Sequence, residues 1–114
     1  MSGDLPTLNE QQLLLVVWQL QDEDEGAYGV TIKDELEARI GRELAVGAIY
    51  TTLVRLEKKG LVTSALSDPE PVRGGKAKRF FQVTAQGKAA VLEARREMER
   101  LWDGLEPSPD LLEG

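Results

Sequence analysis

Two stretches of this chain combine residue types suited to gripping a polyanion. Val46, Gly47, Ala48, Tyr50, Thr51 and Arg55 fall in one short segment. Small side chains at its start let backbone amides approach a phosphate closely. The hydroxyls of Tyr50 and Thr51 can donate to phosphate oxygens, and Arg55 can pair with a phosphate or a base edge. The second stretch, Arg73-Gly74-Gly75-Lys76-Ala77-Lys78-Arg79, interleaves cations with glycine. Such a loop suits tracking a sugar–phosphate backbone or slipping an arginine into a narrow groove. Its glycine-lysine pair is no P-loop, because the Walker spacing and the preceding strand are absent.

The charge distribution supports this chemistry where the net charge does not. The 114 residues sum to −6 with a pI near 4.7. Residues 1–38 carry about −8, residues 39–88 about +6, and residues 89–114 about −4. The positive block holds Arg39, Arg42, Arg55, Lys58, Lys59, Arg73, Lys76, Lys78, Arg79 and Lys88 against Glu43, Glu57, Asp68 and Glu70. A local basic field attracts phosphate, whatever the global sum.

Other chemistry is sparse. The chain has no histidine and no cysteine, so the common nucleophile–base pairs and soft-metal sites cannot be assembled within it. No catalytic residue, metal site or cofactor is expected. The acid run Asp22-Glu23-Asp24-Glu25 lacks the glycine and distant glutamate of a calcium loop, and reads as a solvated turn. The start is acidic, and the longest apolar run, Leu13 to Trp18, is too short to span a membrane. A cytoplasmic location without a membrane partner is the expectation.

Periodicity supplies the elements that must position these residues. Thr7-Leu-Asn-Glu10 is a capping box opening a first helix to about Gln21, with Leu13, Val16, Val17 and Leu20 on an apolar face. Leu8, Gln12, Leu15 and Gln19 lie near one line of it. Gly26 and Gly29 bracket a turn into a second helix with Val30, Ile32, Leu36 and Ile40 inward, closed at Gly41. A third helix covers about 47–59, with Ile49, Leu53 and Leu56 inward, and Gly60 stops it. Residues 61–66 and 78–84 read as two strands around a turn-rich basic tip. Thr84 caps a last helix to about Leu105, whose Val91, Ala94, Met98, Leu101 and Leu105 step by threes and fours.

The expected fold is therefore mainly α with a β-hairpin (α+β), a winged helix-turn-helix in the order α-α-α-β-β-α. The third helix is the recognition helix and the hairpin is the wing. Its parts are a lead (1–7), the winged helix-turn-helix (8–87), a dimerisation helix (88–105) and a flexible tail (106–114). Val91, Met98, Leu101 and Leu105 are the expected dimer seam. Trp18 and Trp102, on the first and last helices, are candidates either for packing or for facing one another across the dimer to line a pocket for a small planar apolar effector.

The chain resembles the PadR family of bacterial transcription regulators from about Leu8 to Leu101. The matching stretches are Ala27-Tyr-Gly-Val-Thr-Ile32, Val46-Gly-Ala-Ile-Tyr-Thr-Thr-Leu-Val-Arg-Leu-Glu-Lys-Lys-Gly-Leu61, Arg73-Gly-Gly-Lys76 and Lys78-Arg-Phe-Phe-Gln-Val-Thr-Ala-Gln-Gly87. The resemblance implies a homodimer on double-stranded DNA, often a repressor at an inverted repeat, with the terminal helices pairing the subunits. It places Tyr50 on the family's recognition-helix tyrosine and Arg79 on its basic wing-strand position. With Gly74, these residues complete the expected DNA-binding set. The rival reading from the residues is a winged-helix module that binds protein, which the acidic total would suit.

Overall fold

The computed structural model describes residues 5–68 and 77–112. Its elements run α1 (Leu8–Leu20), α2 (Gly29–Ile40), α3 (Val46–Lys58), β1 (Val62–Leu66), β2 (Arg79–Val83), α4 (Ala85–Trp102) and a single turn, α5 (Pro109–Leu112). The expected order is present. The last turn is an addition within the expected tail.

Local chemistry sets the helix starts. Thr7 Oγ1 accepts from the Glu10 amide at 3.2 Å, and Glu10 Oε1 accepts from the Thr7 amide at 2.9 Å, so the capping box forms as read. At α2, Thr31 Oγ1 accepts from the Tyr28 amide at 3.0 Å and donates to the Gly26 carbonyl at 2.8 Å. At α4, Thr84 Oγ1 accepts from the Gly87 amide at 2.9 Å. Gly60, at φ +76°, takes the left-handed turn that ends α3 and frees the chain to enter β1.

One core unites these elements. Leu13, Leu14, Val16 and Val17 of α1 meet Ile32 and Leu36 of α2, then Ile49, Leu53 and Leu56 of α3. Val62, Phe81, Val83 and Val91 close it from the hairpin and α4. Removing such side chains from water supplies about 1.5–3 kcal/mol each. The turn between α2 and α3 is tied by Glu37, whose carboxylate accepts from the Leu44 amide at 2.7 Å and from Lys33 at 3.0 Å.

The hairpin is antiparallel, in register from Val62 opposite Val83 to Leu66 opposite Arg79. Its base is stitched to the first half of the chain. The Phe81 amide donates to the Ala27 carbonyl at 2.8 Å, and the Val83 amide donates to the Gln21 side chain at 2.8 Å.

Three expectations are corrected. Val30 is 58% exposed and does not join the inward face of α2. It is the second residue of the helix, outside the face that Gly29, Ile32 and Leu36 bury. Val91, expected in a dimer seam, is 4% exposed and belongs to the chain's own core. Leu105 lies beyond α4, because Asp103 leaves helical geometry at ψ 129° and Gly104 follows at φ +86°.

Candidate nucleic-acid interface

On α3 the buried residues Ile49, Thr52, Leu53 and Leu56 define the inner face. At about 100° per residue, the line diametrically outside them is Gly47, Thr51, Val54 and Lys58. All four are exposed. Val46, Tyr50 and Glu57 flank this line on one side, Ala48 and Arg55 on the other, and these are exposed too. The six α3 residues expected from sequence therefore share one outward surface. Val54 and Lys58 belong to it as well, and sequence reasoning passed over them; the signal was their spacing of three and seven from Thr51.

The first turn of α3 is open. Its cap, Ala45, brings no side-chain acceptor, and nothing lies within 4 Å of where a Cβ on Gly47 would stand. A close approach by another backbone is thus sterically free.

Tyr50 is placed more tightly. A Cβ on Gly29 would run into the Tyr50 hydroxyl, so α2 must begin with glycine for that ring to lie across its first turn. The ring is 45% exposed, with its hydroxyl at the junction of α2 and α3.

The two described wing cations point to opposite faces of β2, as strand alternation requires. Arg79 Nη1 donates to Ser64 Oγ at 2.9 Å, and Ser64 Oγ donates to Glu57 at 2.8 Å. This chain holds Arg79 on the side of α3. Lys78 instead sets its ammonium 4.6 Å from the centre of the Tyr28 ring, which meets Phe80 edge-on at 5.4 Å. The expected contacts Arg73, Gly74 and Lys76 lie outside the described residues.

Ion pairing sorts the basic block. Arg39 is bound to Glu35 at 2.6 Å and Lys59 to Glu10 at 2.9 Å. Among the described residues, Arg42, Arg55, Lys58, Arg79 and Lys88 form no salt bridge. Three of these five lie on α3 or on β2. Among the described residues, Arg55 and Lys58 therefore carry unpaired positive charge on the exposed surface of α3.

Glu10 is wholly buried. Burial alone would raise its carboxyl above the ordinary 4.5. The Lys59 hydrogen bonds, the Thr7 amide and the charges of Lys59 and Arg55 outweigh this and hold it below. The acid run lines a cleft of about 510 Å³ with Asp34 and Glu35, and among the described residues no group of three or more acids is arranged to hold a metal ion.

Trp18 is half-buried, with the Lys88 ammonium 5.1 Å from its ring centre. Trp102 is 53% exposed at the far end of α4. At about 1.5 Å per residue, Trp102 stands roughly 21 Å along the helix from Lys88. The two indoles do not share a pocket within one protomer. Met98 and Leu101 are 51% and 67% exposed, beyond the part of α4 that the core covers.

A helix pair with an open recognition face, followed by a hairpin that holds a cation beside it, defines a winged helix-turn-helix protein. The sequence profile of the Transcriptional regulator PadR-like family matches residues 16–93, and the chain belongs to that family. It is 37% identical over 78 residues to the transcriptional regulator Rv3488 of Mycobacterium tuberculosis, a match spanning 68% of each chain. The fold is similar to that of a PadR-like transcription factor from Bacteroides fragilis, with TM-score 0.67 and 18% identity over 82% of each chain. It is also similar to a PadR-like transcriptional regulator from Bacillus cereus, with TM-score 0.65 and 20% identity over 94% and 93% of the two chains. The chain is thus a transcriptional regulator of a DNA-binding, non-enzymatic family. No helix among the described residues is long and apolar enough to cross a membrane.

Proposed function

We propose that the chain represses transcription as a homodimer on an inverted-repeat operator. In this reading α3 enters the major groove with Gly47, Thr51, Val54 and Lys58 foremost, while Arg79 and the wing meet the sugar–phosphate backbone or the minor groove. The single observation that carries it is the open outer face of α3, with small, hydroxyl and methyl side chains beside cations that have no acid partner among the described residues.

Dimerisation is supported by what α1 and α4 leave uncovered. Leu8 and Leu15 form an exposed apolar line on α1, and Met98, Leu101 and Trp102 continue the apolar side of α4 past the core. Pairing these faces between two copies removes them from water and fixes two recognition helices at one spacing. A planar apolar effector would be held where Trp102 meets the partner subunit, since Trp18 is already covered by Lys88.

An electrophoretic mobility shift against the DNA upstream of its own coding sequence tests the proposal. A shift competed by the same unlabelled duplex but not by a scrambled one, with two-fold symmetric protection from cleavage, is expected. Absence of any shift, with retention of a protein partner instead, favours the protein-binding module.

A further inference from the structure

We propose that Val54 is a base-reading residue that packs on the C5-methyl group of thymine in the major groove. The proposal rests on the DNA-binding reading above and adds which base the recognition helix selects.

Val54 stands in the middle of the outermost line of α3, between Thr51 and Lys58, and is 51% exposed. It lies outside the core cluster. A β-branched residue at an exposed helical position is mildly disfavoured, and a polar side chain would serve the free protein as well or better. A single exposed valine is nonetheless ordinary. Its weight comes from what the rest of the face lacks.

The exposed side chains of α3 include no asparagine and no glutamine, the residues that read adenine by two hydrogen bonds. One guanidinium, Arg55, is available for guanine. Glu57 could accept from cytosine, but its carboxylate already takes the Ser64 hydroxyl at 2.8 Å. Lys58 lies at the C-terminal end, where it suits a phosphate. What remains for reading bases is hydroxyl and methyl surface from Val46, Ala48, Tyr50, Thr51 and Val54, of which Thr51 and Val54 lie on the outermost line. The thymine methyl is the one apolar group that the four bases present in the major groove.

Charge complementarity selects DNA over an apolar protein partner for this residue. Arg55 and Lys58 share the exposed surface of α3 with Val54, without acid partners among the described residues. An apolar protein surface would have to strip water from these cations without pairing them, whereas DNA supplies phosphates beside its methyl groups.

The test uses the full chain and a pool of duplexes randomised over the half-site, from which bound sequences are selected. Thymine should be retained at a fixed position in each half-site. Replacing that thymine by deoxyuridine removes only the methyl group, and should weaken binding about fourfold per half-site, the effect of exposing one buried carbon. Val54→Ser, checked for an unchanged melting temperature, should bind the thymine and deoxyuridine duplexes alike. Deoxyuridine that is neutral at every thymine, or that weakens Val54→Ser as much as the unaltered protein, overturns the proposal while leaving DNA binding intact. Failure to select any duplex overturns the DNA-binding reading itself.

Discussion

The Lys59 ammonium donates to both carboxylate oxygens of Glu10, at 3.0 and 2.9 Å, across 49 positions of sequence. The contact joins the first turn of α1 to the residue that caps the C-terminus of α3. The recognition helix is thereby fixed to the helix whose outer line is proposed to meet the second subunit.

The two partners of this pair are unequal. Glu10 is wholly buried, whereas the Lys59 side chain is 40% exposed. Lys59→Met leaves the buried carboxylate with only the Thr7 amide and should cost about 1–3 kcal/mol. Glu10→Gln leaves an ammonium that can turn to water and should cost distinctly less. Urea unfolding of both variants at neutral pH checks the order.

Acid should act through the same carboxyl. The folded-state pKa of Glu10 lies below its ordinary 4.5, and that of Glu37 does so too, chiefly through the Leu44 amide. Their stabilisation is complete above the ordinary value and is lost as pH falls through the lowered folded-state value. Thermal midpoints should be flat from pH 7 to about 5 and fall below about 4. In Glu10→Gln that fall should be shallower.

Gly29→Ala should disturb the recognition helix through Tyr50. The new methyl group meets the Tyr50 hydroxyl, and such overpacking costs about 1–3 kcal/mol. Tyr50→Ala removes the hydroxyl and the ring carbon behind it, both of which the methyl group meets, so the double variant should be more stable than the two single effects added together. Strict additivity in a double-mutant cycle would show that the ring does not rest there.

Val91 and Leu101 lie on one stripe of α4 and should fail differently. Val91→Asp places a charge in the chain's own core and should unfold it. Leu101→Asp falls on a residue 67% exposed in the single chain, and should dissociate the dimer while circular dichroism stays native. Light scattering alongside dichroism separates the two outcomes. A monomer in the unaltered protein contradicts the proposed assembly.

Most of the fold was legible because its signals are local. The capping box at Thr7, the glycine stop at Gly60 and the turn-rich break between the strands at 61–66 and 78–84 each lie within a few residues. The partner of Lys59 was not, since nothing local marks which buried acid a distant lysine will meet. The α4 stripe was read whole, yet spacing cannot tell where the chain's own core ends and an open face begins; Val91 falls on one side and Met98 on the other. Val54 escaped notice because an apolar residue outside the inward face carries no hydrogen-bonding signature. The placement of Arg79 beside α3, rather than with Lys78, follows from strand alternation once the register is known.

The most direct test of DNA recognition by α3 is the salt dependence of binding, measured by fluorescence anisotropy with the upstream duplex and a scrambled control. Log affinity should fall linearly with log salt, with a slope of about −0.9 for each phosphate neutralised. Lys58→Gln or Arg79→Gln should reduce that slope by roughly one per site, while Arg39→Gln, already paired with Glu35, should leave it unchanged. The upstream duplex should bind roughly a thousandfold or more tighter than the control. Affinity that ignores salt, or that is the same for both duplexes, would contradict the account.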